Sequence, residues 1–162
     1  MNQYRITKYN PKFRDATGAY MKPDWTSMSD IGSSFDGFTL KKEDYLAIES
    51  AHVESVMSFI TEDQITALRA VGVENPGKAL APKEGQFVPV ADLPEIIRSI
   101  LREDFWCRLE IDDRFIHFGW DYYIYLGVKD RCEASIQSAH AKGLFVEPFK
   151  SPYLETEENH GA

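Results

Sequence analysis

The stretch His117-Phe118-Gly119-Trp120-Asp121-Tyr122-Tyr123 sets an imidazole, an indole, a carboxylate and two phenols side by side. Glycine and aspartate favour a tight turn. A tryptophan and an aspartate at such a tip, with Tyr123 close by, are what a recognition hot spot for a basic partner contains. The same residues also suit packing, the glycine permitting the turn and the rings filling a core. His117 and Asp121 flank the turn and could converge on a metal, with Glu147 as a distant third ligand. Three donors from unrelated segments are a weak pattern, and the chain has no H-x-x-x-H, H-E-x-x-H or paired C-x-x-C spacing. Asp112 and Asp113 are adjacent acids at a second expected turn, suited to turn chemistry or to pairing with a cation.

Gly72-Val73-Glu74-Asn75-Pro76-Gly77-Lys78-Ala79 matches a phosphate-binding loop up to the lysine. Ala79 lacks the hydroxyl that would bind magnesium, Pro76 removes an amide from the cradle, and Glu74 sets a negative charge inside an anion site. The segment therefore reads as a Pro/Gly loop. There is no G-x-S-x-G elbow, and neither Cys107 nor Cys132 has a histidine in a recognisable local motif. His52 falls on an apolar stripe and reads as a hydrogen-bonded core histidine. The expectation is no cofactor, no metal and no catalytic residue.

Charge bears on the partner. The 162 residues hold 18 Lys and Arg against 26 Asp and Glu, a net charge of −8. Residues 1–42 sum to +3, leaving −11 on residues 43–162. Nucleic-acid binding needs clustered cations and is not expected. An acidic face suits a basic protein, although the same charge also serves solubility. Two cysteines are unlike a secreted disulfide scaffold. No apolar run approaches a membrane span, and Met1 to Thr7 has no apolar h-region. The expected location is the cytoplasm.

These residues need elements to position them. Alternation over 3–8 suggests a first strand, followed by a long loop, 9–26, pinned by Phe13, Tyr20 and Trp25. Residues 41–60 carry two adjacent apolar rows at helical spacing. Thr61-Glu62-Asp63-Gln64 resembles a capping box, yet Ile65, Leu68, Val71 and Val73 would also suit a strand, so 62–74 stays open between the two. Asp92, Pro94 and Glu95 mark a second helix start. Residues 105–128 read as a three-stranded antiparallel meander with turns at Asp112-Asp113-Arg114 and Gly119-Trp120-Asp121. A third helix over 131–142 ends at Gly143, and 144–147 forms a last strand. The expectation is an α+β fold over a single domain, 1–162. It has an antiparallel sheet of about five strands, two or three helices packed on it, and a frayed acidic tail, 155–162.

Tyr4-Arg5-Ile6-Thr7-Lys8-Tyr9-Asn10-Pro11, Trp25-Thr26-Ser27-Met28-Ser29-Asp30-Ile31-Gly32, the 117–123 stretch and Gly143-Leu144-Phe145-Val146-Glu147 together resemble a group of small uncharacterised bacterial proteins. These are similar in size and charge to the immunity proteins that neutralise secreted toxins. The resemblance implies an antitoxin-like binding protein that blocks a basic toxin, such as a nuclease, through an acidic surface. Asp112, Asp113, His117, Trp120, Asp121 and Tyr123 are the expected contact residues. The alternative is a small enzyme or ligand-binding domain with a cleft near His117 and Asp121. Oligomeric state is not legible.

Overall fold

The computed structural model describes residues 1–154, so the acidic tail lies outside the described residues. In chain order the elements are β1 (Asn2–Thr7), β2 (Ser34–Phe35), β3 (Phe38–Thr39), α1 (Lys42–Glu62), β4 (Ala67–Glu74), β5 (Phe87–Pro89), α2 (Leu93–Leu101), β6 (Trp106–Ile111), β7 (Arg114–Phe118), β8 (Ile124–Val128), α3 (Glu133–Ala141) and β9 (Phe145–Pro148). The class is α+β. Seven strands form one sheet in the order β5-β4-β6-β7-β8-β1-β9. All its neighbours run antiparallel. β2 and β3 make a small separate hairpin.

The sheet thus exceeds the five or so strands expected, because β4 and β5 join it. Period-two burial shows why 67–74 is a strand: Leu68 and Ala70 are buried while Arg69 between them is exposed. Thr61 and Glu62 finish α1 instead of capping a new helix, and Gln64, at φ 59°, reverses the chain. Gly72, at φ 68°, sits where the β4–β6 register shifts. The phosphate-loop look-alike begins at this bulge. The Gly72 and Val73 amides each donate to the Glu84 carboxylate at 2.9 Å, so the chain supplies its own anion. Those two bonds hold the Glu84 carboxyl below its ordinary range.

One face of the sheet meets the helices. Ile6, Leu109, Ile116, Ile124 and Leu126 share a buried cluster with Val56, Phe59 and Ile60 of α1, Ile97 of α2 and Ala139 of α3. α1 buries a charged residue that an apolar stripe does not foresee. Glu49 accepts from Tyr45 at 2.7 Å, from Arg102 Nε and Nη2 each at 2.7 Å and from Arg98 Nε at 3.2 Å. Burial pushes its carboxyl upward, but these donors outweigh burial and hold it below the usual range. Asp92 caps α2 by position without a side-chain hydrogen bond, so the capping reading there is only partly met.

The other face carries Arg5, Phe115, His117 and Tyr125, and the segment after β9 lies against it. Phe149 stacks under Arg5, the guanidinium carbon 3.9 Å from the ring centre, and Tyr153 contacts His117 and Tyr125. Gly127 of β8 pairs directly with Phe115 of β7, whose ring covers the space above the glycine. Both cysteines are buried and free, and burial pushes each thiol up to about 12. Among the described residues no helix is long and apolar enough to cross a membrane.

Candidate functional site

The β7–β8 connection is the most unusual piece of backbone. Asp121 and Tyr122 have φ of 60° and 68°, as the central pair of a type I′ turn requires. Asn-Gly usually occupies such a turn, and a tyrosine there is strained. The Tyr122 ring explains how the strain is held. It is 4% exposed, meets Trp25, Tyr45 and His52 edge-on, and its hydroxyl reaches that of Tyr45 at 3.1 Å. Tyr9 of the 9–26 loop adds a clamp, its hydroxyl 2.9 Å from the Asp121 carbonyl oxygen. With Tyr122 drawn inward, Trp120 points outward and is 81% exposed.

Trp120 stands on the wall of a cleft of about 360 Å³. Trp106, Phe118, Tyr122 and Tyr153 supply aromatic lining, and Glu74, Glu103 and Asp121 supply carboxylates. These residues come from the ends of β4 and α2, the start of β6, the β7–β8 turn and the C-terminal segment. The meeting is set by the sheet, because Glu74 pairs with Trp106 across β4–β6 and the Trp106 indole donates to the Phe118 carbonyl at 3.0 Å.

Of the expected contact residues, Trp120 and Asp121 share this site. Tyr123 is half-buried beside it, its hydroxyl accepting from Arg14 at 3.0 Å. Asp112 and Asp113 are exposed but occupy the β6–β7 turn at the opposite end of β7. Five residues of strand separate the two tips, about 17 Å. One small patch cannot contain both.

His117 is fully buried and does not face the cleft as an open ligand. Its Nε2 lies 2.7 Å from a Glu110 carboxylate oxygen and its Nδ1 lies 2.7 Å from Ser151 Oγ. A carboxylate only accepts, so Nε2 donates and Nδ1 accepts from the serine hydroxyl. Burial lowers the imidazole pKa and outweighs Glu110, which leaves the ring neutral. This Ser-His-Glu chain was not foreseen from sequence, since its members lie in three separate segments. It has the composition of a hydrolytic triad but works as a tie. Ser151 is 6% exposed, its Oγ also accepts the Tyr153 amide at 3.1 Å, and the imidazole stacks on Phe115 at 4.1 Å. The bonds pin the C-terminal segment to the sheet. A fluorophosphonate probe is accordingly expected to leave the native protein unlabelled, while Ser151→Ala lowers stability by about 1 kcal/mol in chemical denaturation. Labelling lost in that variant would reverse the assignment.

The suggested His117, Asp121 and Glu147 metal set is not assembled. Glu147 is paired with Arg5 at 2.9 Å and Arg14 at 3.4 Å, Asp121 is exposed in its turn, and both His117 nitrogens are engaged. A different group, Glu62, Asp130 and Cys132, brings ligand-type atoms within 4.8 Å of one another. Its carboxylates already have structural work. Glu62 accepts from the backbone and hydroxyl of Ser135 at the start of α3, and Asp130 accepts from the Cys132 amide. His52 is buried with Nδ1 2.8 Å from the Ile48 carbonyl, as a core histidine.

No family model, curated protein or solved structure matches the chain.

Proposed function

We propose that the protein binds a basic protein partner at the end of the sheet that carries Trp120, in the manner of an immunity or antitoxin protein that neutralises a toxin. The observation that carries this reading is the 81% exposure of Trp120 beside a cleft walled by Glu74, Glu103 and Asp121. A large apolar side chain held in water by a strained turn gains most when a partner covers it. Surrounding carboxylates steer a cationic partner and exclude an anionic one. Asp112 and Asp113 would act at a distance, through the long-range field. A nuclease is one partner class of suitable charge.

The cleft also favours a second reading, a small cationic ligand bound by this chain alone. Association with the product of the neighbouring gene separates the two. Under the first reading that product binds, and raising salt slows association because the attraction is screened. Trp120→Ala should weaken binding by about 2 kcal/mol, near 30-fold, without altering the circular dichroism. An unaltered affinity in this variant would move the interface elsewhere.

A further inference from the structure

We infer that the cleft beside Trp120 is a pocket for a guanidinium group, so that the part of a partner that enters it is an arginine side chain. The inference rests on the proposed binding role for the identity of the partner, but the pocket can be tested without one.

The lining supplies both halves of a cation site. Six of its residues are aromatic, three are acidic, and none of the described residues lining it is Lys, Arg or His. Aromatic faces attract a cation through their quadrupole, and carboxylates supply the full countercharge. The protein uses the same combination internally. The Lys8 ammonium lies 4.0 Å from the Trp25 ring centre and 4.1 Å from that of Tyr9, and pairs with Asp24 at 3.1 Å. The cleft offers tryptophan, tyrosine and aspartate to a cation from outside. Its volume, about 360 Å³, lies at the small end for ligand sites and suits one side chain better than a nucleotide-sized cofactor.

The backbone concentrates its strain here. Asn75, Glu103, Asp121 and Tyr122 all line the cleft, and they are four of the eight described non-glycine residues with positive φ. Two of the three acids are thus held on conformations that the flanking structure enforces. The Lys8 ammonium feels the charge of Asp121, but it is paired with Asp24 at 3.1 Å and does not line the cleft. The basic side chain placed nearest by a bond is Arg108, whose Nη1 lies 3.5 Å from the Tyr153 carbonyl. Guanidinium is preferred over ammonium because its plane stacks on indole and its fork pairs with carboxylates on either side.

The test uses the intact chain and four small probes: N-acetyl-arginine amide, the citrulline equivalent with the same shape and no charge, the lysine equivalent, and tetramethylammonium. Indole N–H resonances of Trp106 and Trp120 report binding. The expected result is a saturable shift with the arginine probe at an affinity about tenfold or more above that of citrulline. Trp120→Ala, or Glu103→Gln with Asp121→Asn, should each reduce it by about tenfold while the remaining spectrum keeps its dispersion. Equal binding of citrulline, or no saturable shift, overturns the inference. Tighter binding of lysine or tetramethylammonium overturns the guanidinium assignment. Arginine binding without any association with the neighbouring gene's product leaves the pocket standing and removes the protein-partner reading. Association without arginine binding does the opposite.

Discussion

Replacing Gly127 with alanine is expected to destabilise the fold by about 3 kcal/mol, the cost of overpacking a rigid core. A Cβ at that position would lie 2.3 Å from Phe115 Cε1 and 2.6 Å from Cδ1. Neither partner can yield easily. Phe115 is 2% exposed, and its other side stacks on His117, which is fixed at both nitrogens by Glu110 and Ser151. The ring therefore has no free rotamer to retreat into. Urea denaturation of Gly127→Ala, Phe115→Leu and the double variant would measure the clash directly. The double variant should be more stable than the sum of the single losses implies, because a smaller side chain frees the space the methyl needs. A loss below about 1 kcal/mol for Gly127→Ala would show that the β7–β8 pair can open, and that the aromatic face is softer than it looks.

The second large effect is an acid limb from His52. The neutral imidazole donates from Nδ1 to Ile48, while Nε2 is buried with no hydrogen-bond partner among the described residues. Protonating Nε2 would strand a second N–H in the core. Burial accordingly lowers the pKa from 6.5 to about 4, opposed by the Ile48 bond and assisted by the nearby Lys8 charge. The unfolded chain takes up this proton near pH 6.5 and the folded chain only near pH 4. Stability is thus lost as pH falls through that window, and the loss stays in full, without further change from this group, below it. The full loss is about 3 kcal/mol. His52→Phe should flatten most of the limb between pH 6.5 and 5, leaving the smaller contribution of His117, which shifts in the same direction, while nearer pH 4 the lowered carboxyls of Glu49, Glu84 and Glu110 add their own loss. Denaturation midpoints at matched pH values decide it, and an unchanged slope in the variant would mean that the core ring charges at no cost. Because His52 meets Tyr122 edge-on and Tyr122 meets Trp25, the same titration should alter Trp25 fluorescence before global unfolding.

Much of this fold was legible from periodicity. α1 has apolar residues at helical spacing, the meander β6–β8 alternates between short turns, and Gly143 ends α3 at φ 84°. What escaped notice depends on contacts across the sheet. β5 is three residues inside a Pro- and Gly-rich stretch, and only its pairing with β4 makes it a strand. β4 was ambiguous because its apolar residues fit either period until a bulge at Gly72 is allowed. Glu49 broke the stripe of α1 because its charged donors, Arg98 and Arg102, lie on α2 and just past its end, far along the sequence. At the site, the turn with Trp120 and Asp121 was readable, since Gly-Trp-Asp is compact and local. Glu74, Glu103 and Trp106 were not, because nothing in their neighbours signals that three strand and helix ends finish at the same place. Asp112 and Asp113 looked equivalent to Asp121 for a related reason. Sequence distance along a hairpin does not say that successive turns point opposite ways.

The borders of the sheet also bear on how this protein meets others. β5 and β9 are its outermost strands, three and four residues long, and each ends in a proline, Pro89 and Pro148. A proline offers no amide hydrogen, so a foreign strand laid along either border would find a short, interrupted row of donors. Amyloid-like stacking and strand donation between copies are both disfavoured by this arrangement. Under the proposed binding role, recognition falls to the ends of the strands, where side chains rather than backbone do the selecting, and a partner is chosen by its chemistry with little risk of self-templating.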